Sequence, residues 1–372
     1  MSSSPPAPQL AHQDFVKGWP HPSFLERPQL RKALSASFSK AITDQAASAL
    51  NYGTVEEGAY MLGNPSFLSA LARFLQTAYG REVRVDTLMS TSGASMGIDL
   101  CGRAHAVPGD YAICEKPTYF LAHQMFRERG LHLKDVGVEP DGMDLDALEE
   151  LVVKLQGKCK LVYTMPIHQN PTGVTMSQTK RDRLARMARQ YGFFVIADEA
   201  YQLLNFREER AEFSPLYYED DPCDPRIFSV GTFSKLVGPG LKIGWLQADP
   251  SLLKPVTKLG VVESGNNPVT FSSTGLIDLL DSGALQEHIR FISGELARKC
   301  TLLCKELRAL GYEMTQPRGG YFVWVRKRNE KMTGRDGTGM ALDPPDEFAG
   351  FMRLCFAWLD DEQIVSGVRV LR

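Results

Sequence analysis

Residues 86–247 alternate between short apolar segments and amphipathic helical segments. The predicted strands are residues 88–91, 111–114, 161–165, 193–197, 227–230 and 242–247, and helices are predicted among them at 119–129 and 178–191. Because these strands are apolar without polar alternation, they are typical of a mainly parallel sheet with helices on both faces. The pattern predicts an α/β fold, in which ligands bind at the carboxyl ends of the strands.

The chain is long enough for a second lobe, because its 372 residues can bury a large core. After Leu253 the pattern becomes helical, with a long helix at 287–310, a strand at 321–325, and a closing strand and helix. We predict four parts: a disordered Ser/Pro-rich tail (1–13), an arm and helix that join the small domain (14–48), a large domain (49–255) and a small C-terminal domain (256–372).

The net charge, the cysteines and the N-terminal residues indicate which partners and which cellular compartment to expect. A formal net charge of -2 gives no reason to expect nucleic acid or a membrane surface as the main partner. The seven cysteines are odd in number and lack C-x-x-C spacing, which favours core or surface thiols over metal ligands and indicates a reducing compartment. The first ten residues show no targeting pattern, and no apolar run is long enough to span a membrane. We expect a cytoplasmic protein without a membrane partner.

Lys235 is the first candidate for a reactive group. The strand at 227–230 leads into small and hydroxylated residues, then Lys235, then a Gly-Pro-Gly turn, so that the amine lies at a sharp bend. Lys242 would place a second cation nearby, and a partly desolvated lysine beside another cation has a lowered pKa. Such an amine can form a Schiff base at neutral pH. A surface lysine is the ordinary alternative for a lysine taken alone.

Three other motifs follow predicted strands. The stretch 92–97, SGASMG, opens a helix with small residues and would form an anion site from backbone N–H groups. Asn170 begins an N-P-T-G turn, and Asp198 begins D-E-A-Y after a very apolar strand. Taken alone, each motif has an ordinary alternative: a common turn for the first two, and a helix cap for Asp198.

Together and in this order, the motifs resemble those of the fold-type I aminotransferases of class I and II, which use pyridoxal 5′-phosphate. The resemblance runs from about Gly18 to Arg372. It implies a large domain with a mainly parallel seven-stranded sheet between helices and a smaller α+β domain. It also implies transamination of an L-amino acid to a 2-oxo acid through a Schiff base at Lys235, in a homodimer with shared active sites.

The resemblance assigns roles at the cofactor site. Lys235 would hold the cofactor and move a proton as general base and acid, and Asp198 would keep the pyridine nitrogen protonated so that the ring acts as an electron sink. Tyr201 and Asn170 would hydrogen-bond the phenolic oxygen of the ring, and Tyr119 would stack on its face. The residues implied for the phosphate are Gly93, Ala94, Ser95, Thr232, Ser234 and Lys242, with Tyr52 reaching across the dimer interface.

Two phosphate-site residues differ from the family pattern. Ala94 stands where a hydroxyl residue is common in the family, so backbone amides and Ser95 would have to make the phosphate contacts. Lys242 stands where arginine is more frequent, and lysine cannot make the same bidentate contact. We expect a lower affinity for the phosphate.

Arg353 is the residue that most strongly indicates where a substrate binds. It lies in a strand-like segment, M-R-L-C-F-A, where an arginine interrupts the apolar pattern. An edge-strand arginine facing water is the ordinary alternative. The resemblance implies a bidentate clamp on the substrate α-carboxylate, assisted by Asn170, with the backbone near Gly18 beside the substrate. These groups say nothing about the substrate side chain.

The segment 326–350 is polar and shorter than the family pattern by one helix. We expect a small domain that is trimmed near the substrate entrance, which bears on lid closure and on full activity.

Several alternatives stay open on the same scaffold. Elimination, cyclisation and oxygen-dependent oxidation use the same lysine, aspartate and arginine, and a cofactor-binding protein with reduced activity would keep the site without turnover. Acyl-condensing synthases usually carry histidine where this chain has Tyr119 and Tyr201, which argues against that branch. A DNA-binding regulator would need a winged-helix domain before the large lobe, and about 50 N-terminal residues leave no room for one.

Overall fold

The computed structural model describes residues 15–51, 59–206, 214–265, 267–327, 340–342 and 348–371. The helices are α1 (Pro22–Leu25), α2 (Pro28–Leu50), α3 (Pro65–Tyr79), α4 (Gly93–His105), α5 (Leu121–Glu128), α6 (Leu145–Lys154), α7 (Gln178–Tyr191), α8 (Pro250–Thr257), α9 (Gly260–Glu263), α10 (Thr270–Thr274), α11 (Ile277–Asp281), α12 (Ala284–Ala309) and α13 (Asp361–Val370). The strands are β1 (Leu88–Thr91), β2 (Tyr111–Lys116), β3 (His132–Glu139), β4 (Gly142–Met143), β5 (Cys159–Thr164), β6 (Phe194–Asp198), β7 (Ile227–Thr232), β8 (Gly244–Gln247), β9 (Tyr312–Met314), β10 (Phe322–Lys327) and β11 (Phe351–Cys355).

The larger sheet has the strand order β1-β8-β7-β6-β5-β2-β3-β4. Strands β7, β6, β5, β2 and β3 pair in parallel, whereas β8 runs antiparallel to both of its neighbours, β7 and β1. The expected mainly parallel sheet is therefore confirmed. The two-residue strand β4, antiparallel to β3, adds an eighth strand at one edge to the seven that were expected.

Helices cover both faces of this sheet because its strands bury side chains on both sides. On β5 and β6, Tyr163 and Ile196 belong to one buried apolar cluster, and the adjacent Val162 and Val195 belong to another. Successive side chains of a strand point to opposite faces, so the two clusters are the two cores above and below the sheet. Helix α4 packs on one face, and α6 and α7 contribute to the core of the other.

Most boundaries predicted from the sequence lie within a few residues of those observed, and α7 coincides with its prediction. Ser177 caps the start of α7 by accepting a hydrogen bond from Lys180 N, and Gly192 ends it in the left-handed conformation, with φ of 72°. In contrast, β3 and α6 were not predicted. Strand β3 pairs with β2 and with the short edge strand β4, and its mixed burial gave no continuous apolar run to recognise.

The smaller sheet has the order β11-β10-β9, all antiparallel. Helix α12 packs against α13 and β9, and α2 packs against α10, α11 and α12, so the N-terminal helix contacts the C-terminal part of the chain. The predicted closing strand and helix are β11 and α13.

The expected domain boundaries at 48/49 and 255/256 fall inside α2 and α8, and the division into domains stays a prediction. The tail 1–13 lies outside the described residues, as do 328–339 and 343–347, which make up most of the segment expected to be trimmed. None of the helices in the described ranges combines the length and the apolarity needed to cross a membrane.

Candidate active site

A cavity of about 330 Å³ lies at the carboxyl ends of the parallel strands. It brings together most of the predicted site residues, namely Gly93, Ala94, Ser95, Tyr119, Asn170, Asp198, Tyr201, Thr232, Ser234, Lys235 and Lys242. It is also lined by Trp19 and Met165, which the sequence did not single out. Arg353 and Gly18 contact lining residues, whereas Tyr52 lies outside the described residues.

A tight turn after β7 places Lys235 at the cavity. The turn closes on Phe233, whose carbonyl accepts hydrogen bonds from Leu236 N and Val237 N at 3.1 and 2.8 Å. The Phe233 ring is buried and packs 5.1 Å from the ring of Trp245, which anchors the turn to the sheet. The Lys235 Nζ donates to the carbonyl oxygen of Gly18 at 2.8 Å.

The pKa of the Lys235 amine is lowered to about 8, and burial is the largest cause. The charges of Arg353 and Lys242 act in the same direction, and the effect of Arg353 is the larger of the two. The expectation of a lowered pKa is met, but its main cause is desolvation rather than the second lysine. The carboxylate of Asp198 acts in the opposite direction, because a negative charge stabilises the ammonium form.

Asp198 ends β6 and is 3% exposed. Its Oδ2 accepts a hydrogen bond from Tyr163 Oη at 2.8 Å, and its Oδ1 accepts one from Ala200 N at 3.3 Å. Burial raises the pKa of this carboxyl, and the two hydrogen bonds oppose that effect. Tyr163 was missed by the sequence reasoning, although a phenol directly after Leu161 and Val162 in a predicted strand was a visible signal.

Tyr201 and Asn170 line the same cavity as this carboxylate. The ring of Tyr201 is buried against Tyr321, with centroids 5.3 Å apart, and Lys235 Nζ lies 5.8 Å from the centre of the Tyr201 ring. Tyr321, another residue that the sequence reasoning missed, donates its hydroxyl to the carbonyl oxygen of Lys235 at 2.9 Å. This bond helps to hold the turn that carries the reactive amine.

A buried network fixes the turn that carries Asn170. Gln169 Nε2 donates to Glu115 Oε2 at 3.1 Å and to the carbonyl oxygen of Pro117 at 2.7 Å, and Gln169 Oε1 accepts from Thr172 N at 2.9 Å. Glu115 is 1% exposed, and burial raises its pKa. The network ties the Asn170 turn to the end of β2, close to Tyr119, which is half-buried at the cavity.

The part of the cavity next to the start of helix α4 is suited to an anion. Helix α4 begins here, and its N-cap residue Ser92 makes no side-chain capping bond, so the amides of the first turn are not satisfied by that side chain. Gly93 has a φ of 77°, which favours glycine. Gly244 faces it so closely that an added Cβ would lie 2.9 Å from the Gly93 carbonyl carbon.

Hydroxyls and a cation complete this end of the cavity. Thr232 Oγ1 donates to Ser234 Oγ at 3.0 Å, and both line the cavity with Lys242. Lys242 itself has a left-handed backbone, with φ of 51°. Helix amides, two hydroxyls and an amine are a donor set that fits a phosphate group.

Arg353 reaches the site from β11 in the smaller sheet. Its Nη1 donates to Asn170 Oδ1 at 3.1 Å, its Nη2 donates to the carbonyl oxygen of Val16 at 2.9 Å, and its guanidinium lies 4.4 Å from the centre of the Phe322 ring. The side chain is directed toward the cavity rather than simply into water, although β11 is an edge strand.

The donor set as a whole fits pyridoxal 5′-phosphate. An anion site lies at one end of the cavity and a buried carboxylate lies among its lining residues, with a lysine of lowered pKa and a tyrosine ring in the same cavity. The anion site can bind the phosphate, and the carboxylate can pair with a protonated ring nitrogen. The lysine amine can react with the aldehyde.

Comparison with known proteins assigns the family. The sequence model of the family described as "Aminotransferase class I and II" matches residues 28–371. The chain belongs to this family. As a class I and II aminotransferase, it uses pyridoxal 5′-phosphate to transfer an amino group between amino acids and 2-oxo acids, so the expected cofactor and reaction are confirmed.

Individual relatives agree with this assignment. The aminotransferase is 32% identical to aromatic-amino-acid aminotransferase 1 of Thermococcus litoralis, over 89% of this chain and 81% of that one. Its structure is similar to that of a kynurenine aminotransferase of Pyrococcus horikoshii, with a TM-score of 0.81 and 26% identity, covering 98% and 91% of the two chains. It is also similar to the Thermus thermophilus α-aminoadipate aminotransferase solved with N-(5′-phosphopyridoxyl)-L-leucine, with a TM-score of 0.80 and 25% identity, covering 97% and 91%.

Proposed function

We propose that Lys235 binds the cofactor aldehyde covalently and, once released by an incoming amino acid, carries the proton removed from the substrate Cα. Bound pyridoxal phosphate supplies an electrophilic carbon and a ring that withdraws negative charge from that Cα. The single observation that carries this proposal is the Lys235 amine, with a pKa of about 8, in a cavity that also contains the Asp198 carboxylate. About a tenth of an amine with this pKa is unprotonated at pH 7, several hundredfold more than for an ordinary lysine, and this fraction can act as nucleophile and base.

The remaining cavity residues orient the reactants. Asp198 holds a negative charge for the ring nitrogen, and Tyr201 and Asn170 provide hydrogen bonds for the phenolic oxygen. Tyr119 provides a ring face against which a second ring can stack. The phosphate is assigned to Gly93, Ala94, Ser95, Thr232, Ser234 and Lys242, and to Tyr52 from the partner subunit.

Arg353 is proposed to bind the substrate α-carboxylate through its guanidinium fork. Its side chain is close enough for its charge to lower the pKa of Lys235. A carboxylate bound at Arg353 would therefore place the adjacent Cα near the amine that removes its proton. Gly18 supports this arrangement, because its carbonyl holds Lys235 Nζ and the neighbouring arm residue Val16 holds Arg353.

We further infer that the preferred amino donor carries an aromatic side chain. Trp19 lines the cavity and leaves 54% of its surface exposed, and its indole ring contacts the ring of Trp358 edge-on at 5.5 Å. A flat side chain would bury the exposed indole and gain ring contacts. The name of the Thermococcus litoralis relative points to the same substrate class.

A panel of amino acids tests the donor class. We predict that phenylalanine, tyrosine and tryptophan convert the bound cofactor to its amine form with a higher kcat/KM than alanine, glutamate or 2-aminoadipate, when followed by absorbance. Trp19→Ala should lower kcat/KM for the aromatic donors roughly tenfold through KM and leave alanine nearly unchanged, because only ring contacts are lost. A preference for 2-aminoadipate that survives Trp19→Ala would refute the inference.

We also propose a cytoplasmic homodimer in which each active site uses residues of both subunits. The dimer is supported by membership of the family, and the compartment by the state of the cysteines. All seven are free thiols, and only Cys223 is exposed. A chain rich in unpaired buried thiols is typical of a reducing compartment.

A further inference from the structure

Tyr163 is a fully buried residue that hydrogen-bonds the Asp198 carboxylate. It lies on β5, next to β6, and is paired in register with Ile196. Because side chains on one face of a strand recur every second residue, Ile196 and Asp198 share a face, and the Tyr163 phenol on that face reaches the carboxylate. The Oη to Oδ2 distance is 2.8 Å, and the Tyr163 side chain is fully buried.

The direction of this hydrogen bond follows from the chemistry of both partners. Burial and the nearby Asp198 charge raise the pKa of the Tyr163 phenol well above its ordinary value, so the phenol keeps its proton and acts as the donor. Its ring is held edge-on against Phe126 with centroids 5.9 Å apart. Within the described residues, the hydrogen bonds to the Asp198 side chain come from Tyr163 Oη and Ala200 N.

No arginine or lysine in the described residues makes a salt bridge with Asp198. Its ionised form therefore depends on neutral donors and on the more distant charge of Lys235. The Ala200 amide is the longer of the two contacts, at 3.3 Å. The short bond from Tyr163 is consequently the stronger donor to a charge buried in a low-dielectric site.

We propose that Tyr163 is a positioning residue that keeps the Asp198 carboxylate ionised, and thereby keeps the proton on the ring nitrogen of the bound cofactor. The inference rests on the function proposed for Asp198. A proton between a carboxylate and a pyridine nitrogen resides on the stronger base. Donation from Tyr163 weakens the carboxylate as a base, so the nitrogen retains the proton; without that donation, the proton moves to Asp198 and the ring withdraws charge less effectively.

Tyr163→Phe tests the inference because it removes the hydroxyl and keeps the ring. Tyr79→Phe is a matched control, since Tyr79 is also buried and donates to Gln202 Oε1 at 3.1 Å, but does not line the cavity. Each variant is loaded with pyridoxal phosphate labelled with ¹⁵N in the ring, and the nitrogen chemical shift is measured by NMR together with kcat, KM and the melting temperature.

We expect Tyr163→Phe to move the nitrogen shift toward the unprotonated value and to lower kcat roughly 10- to 100-fold, with KM changed less than about twofold. Tyr79→Phe should match the wild type in both readouts. The double variant Tyr163→Phe/Asp198→Asn should be no slower than Asp198→Asn alone, because Tyr163 acts only through the carboxylate.

A wild-type nitrogen shift in Tyr163→Phe, or additive losses in the double variant, would overturn the inference while leaving the role of Asp198 intact. Equal losses in Tyr163→Phe and Tyr79→Phe would also overturn it, because they would indicate general loosening of the core. If Asp198→Asn itself keeps a protonated nitrogen and full activity, the function proposed for Asp198 fails, and the inference about Tyr163 fails with it.

Discussion

Lys235 illustrates how a single residue acquires its reactivity from its surroundings. Burial is the largest cause of its lowered pKa, and Arg353, which comes from the other sheet, contributes more than Lys242 in the same turn. The charge that increases the unprotonated fraction of the amine is therefore also the charge proposed to bind the substrate. A carboxylate bound at Arg353 would neutralise that charge and raise the pKa of the amine, which favours proton uptake from Cα.

The pH dependence of cofactor binding tests the state of this amine. We predict that the rate at which the cofactor-free enzyme reacts with pyridoxal phosphate rises with pH to a plateau, with a midpoint near 8, because only the unprotonated amine is a nucleophile. Stopped-flow absorbance measures the rate. Arg353→Gln should move the midpoint upward, since it removes a positive charge that disfavours the ammonium form. A wild-type midpoint near 10.5, the ordinary value for lysine, would contradict the description.

At the level of single residues, the sequence predicted the site residues that belong to motifs at the ends of strands. Asp198 ends a β-strand, and Asn170 and Lys235 each follow one, so sheet topology alone brings them to one edge. Tyr163 and Trp19 were not predicted, because their positions depend on contacts between elements that are distant in the sequence. Tyr163 is 35 residues from its partner Asp198, and Trp19 reaches the cavity from the N-terminal arm.

At the scale of elements, the arm of residues 15–19 connects the two sheets at the active site. The carbonyl of Phe15 accepts a bond from Cys355 N at 2.8 Å, and those of Val16 and Gly18 accept from Arg353 and Lys235. Backbone carbonyls thus hold both cations that the proposed reaction uses. The arm has little secondary structure of its own, and its position depends on close packing against β10.

Gly18→Ala tests whether this packing matters for catalysis. A Cβ added at Gly18 would lie 2.8 Å from Phe322 Cζ, so the arm or the ring must shift. We predict a loss of roughly 10- to 100-fold in kcat/KM, because a small displacement misplaces both cations, with little change in melting temperature. Gly137→Ala is the control, since its added Cβ meets nothing within 4 Å. Equal kcat/KM for the two variants would show that the arm tolerates displacement.

The success of the element predictions depended on the clarity of the local signals. Helix α7 carries a serine cap and a terminal glycine, and its predicted limits coincide with the observed ones. Strand β3 lies near the sheet edge and lacks the continuous apolar run by which the other strands of the large sheet were predicted. Helix α6 was missed although Asp144 caps it and its buried Leu145, Leu148 and Val152 follow helical spacing. Nothing in their own sequence shows that β3 pairs beside β2; that pairing is decided by the order of the whole sheet.

For the whole molecule, the proposed active site combines residues from both sheets. The large sheet supplies Lys235, Asp198 and the anion site, whereas the small sheet supplies Arg353 from β11. The hydrogen bond from Arg353 to Asn170 joins the two halves across the cavity. The proposed dimer adds a third contribution, Tyr52 of the partner subunit.

Subunit complementation tests the shared site. We predict that Lys235→Ala and Tyr52→Ala homodimers are each nearly inactive at low cofactor concentration. After mixing, unfolding and refolding of equal amounts, activity should return to about a quarter of the wild-type value, because half of the dimers are hybrids with one intact site. A mixture that is no more active than its components, although sedimentation shows dimers, would count against a shared site.

The central claim is that Lys235 holds the cofactor, and chemical trapping measures this most directly. The enzyme is incubated with pyridoxal phosphate, reduced with borohydride and digested, and the peptides are mapped by mass spectrometry. We predict a phosphopyridoxyl mass on the peptide that contains Lys235, lost when an amino acid donor is added before reduction. Labelling of another lysine, or an unlabelled enzyme that still transaminates, would contradict the claim.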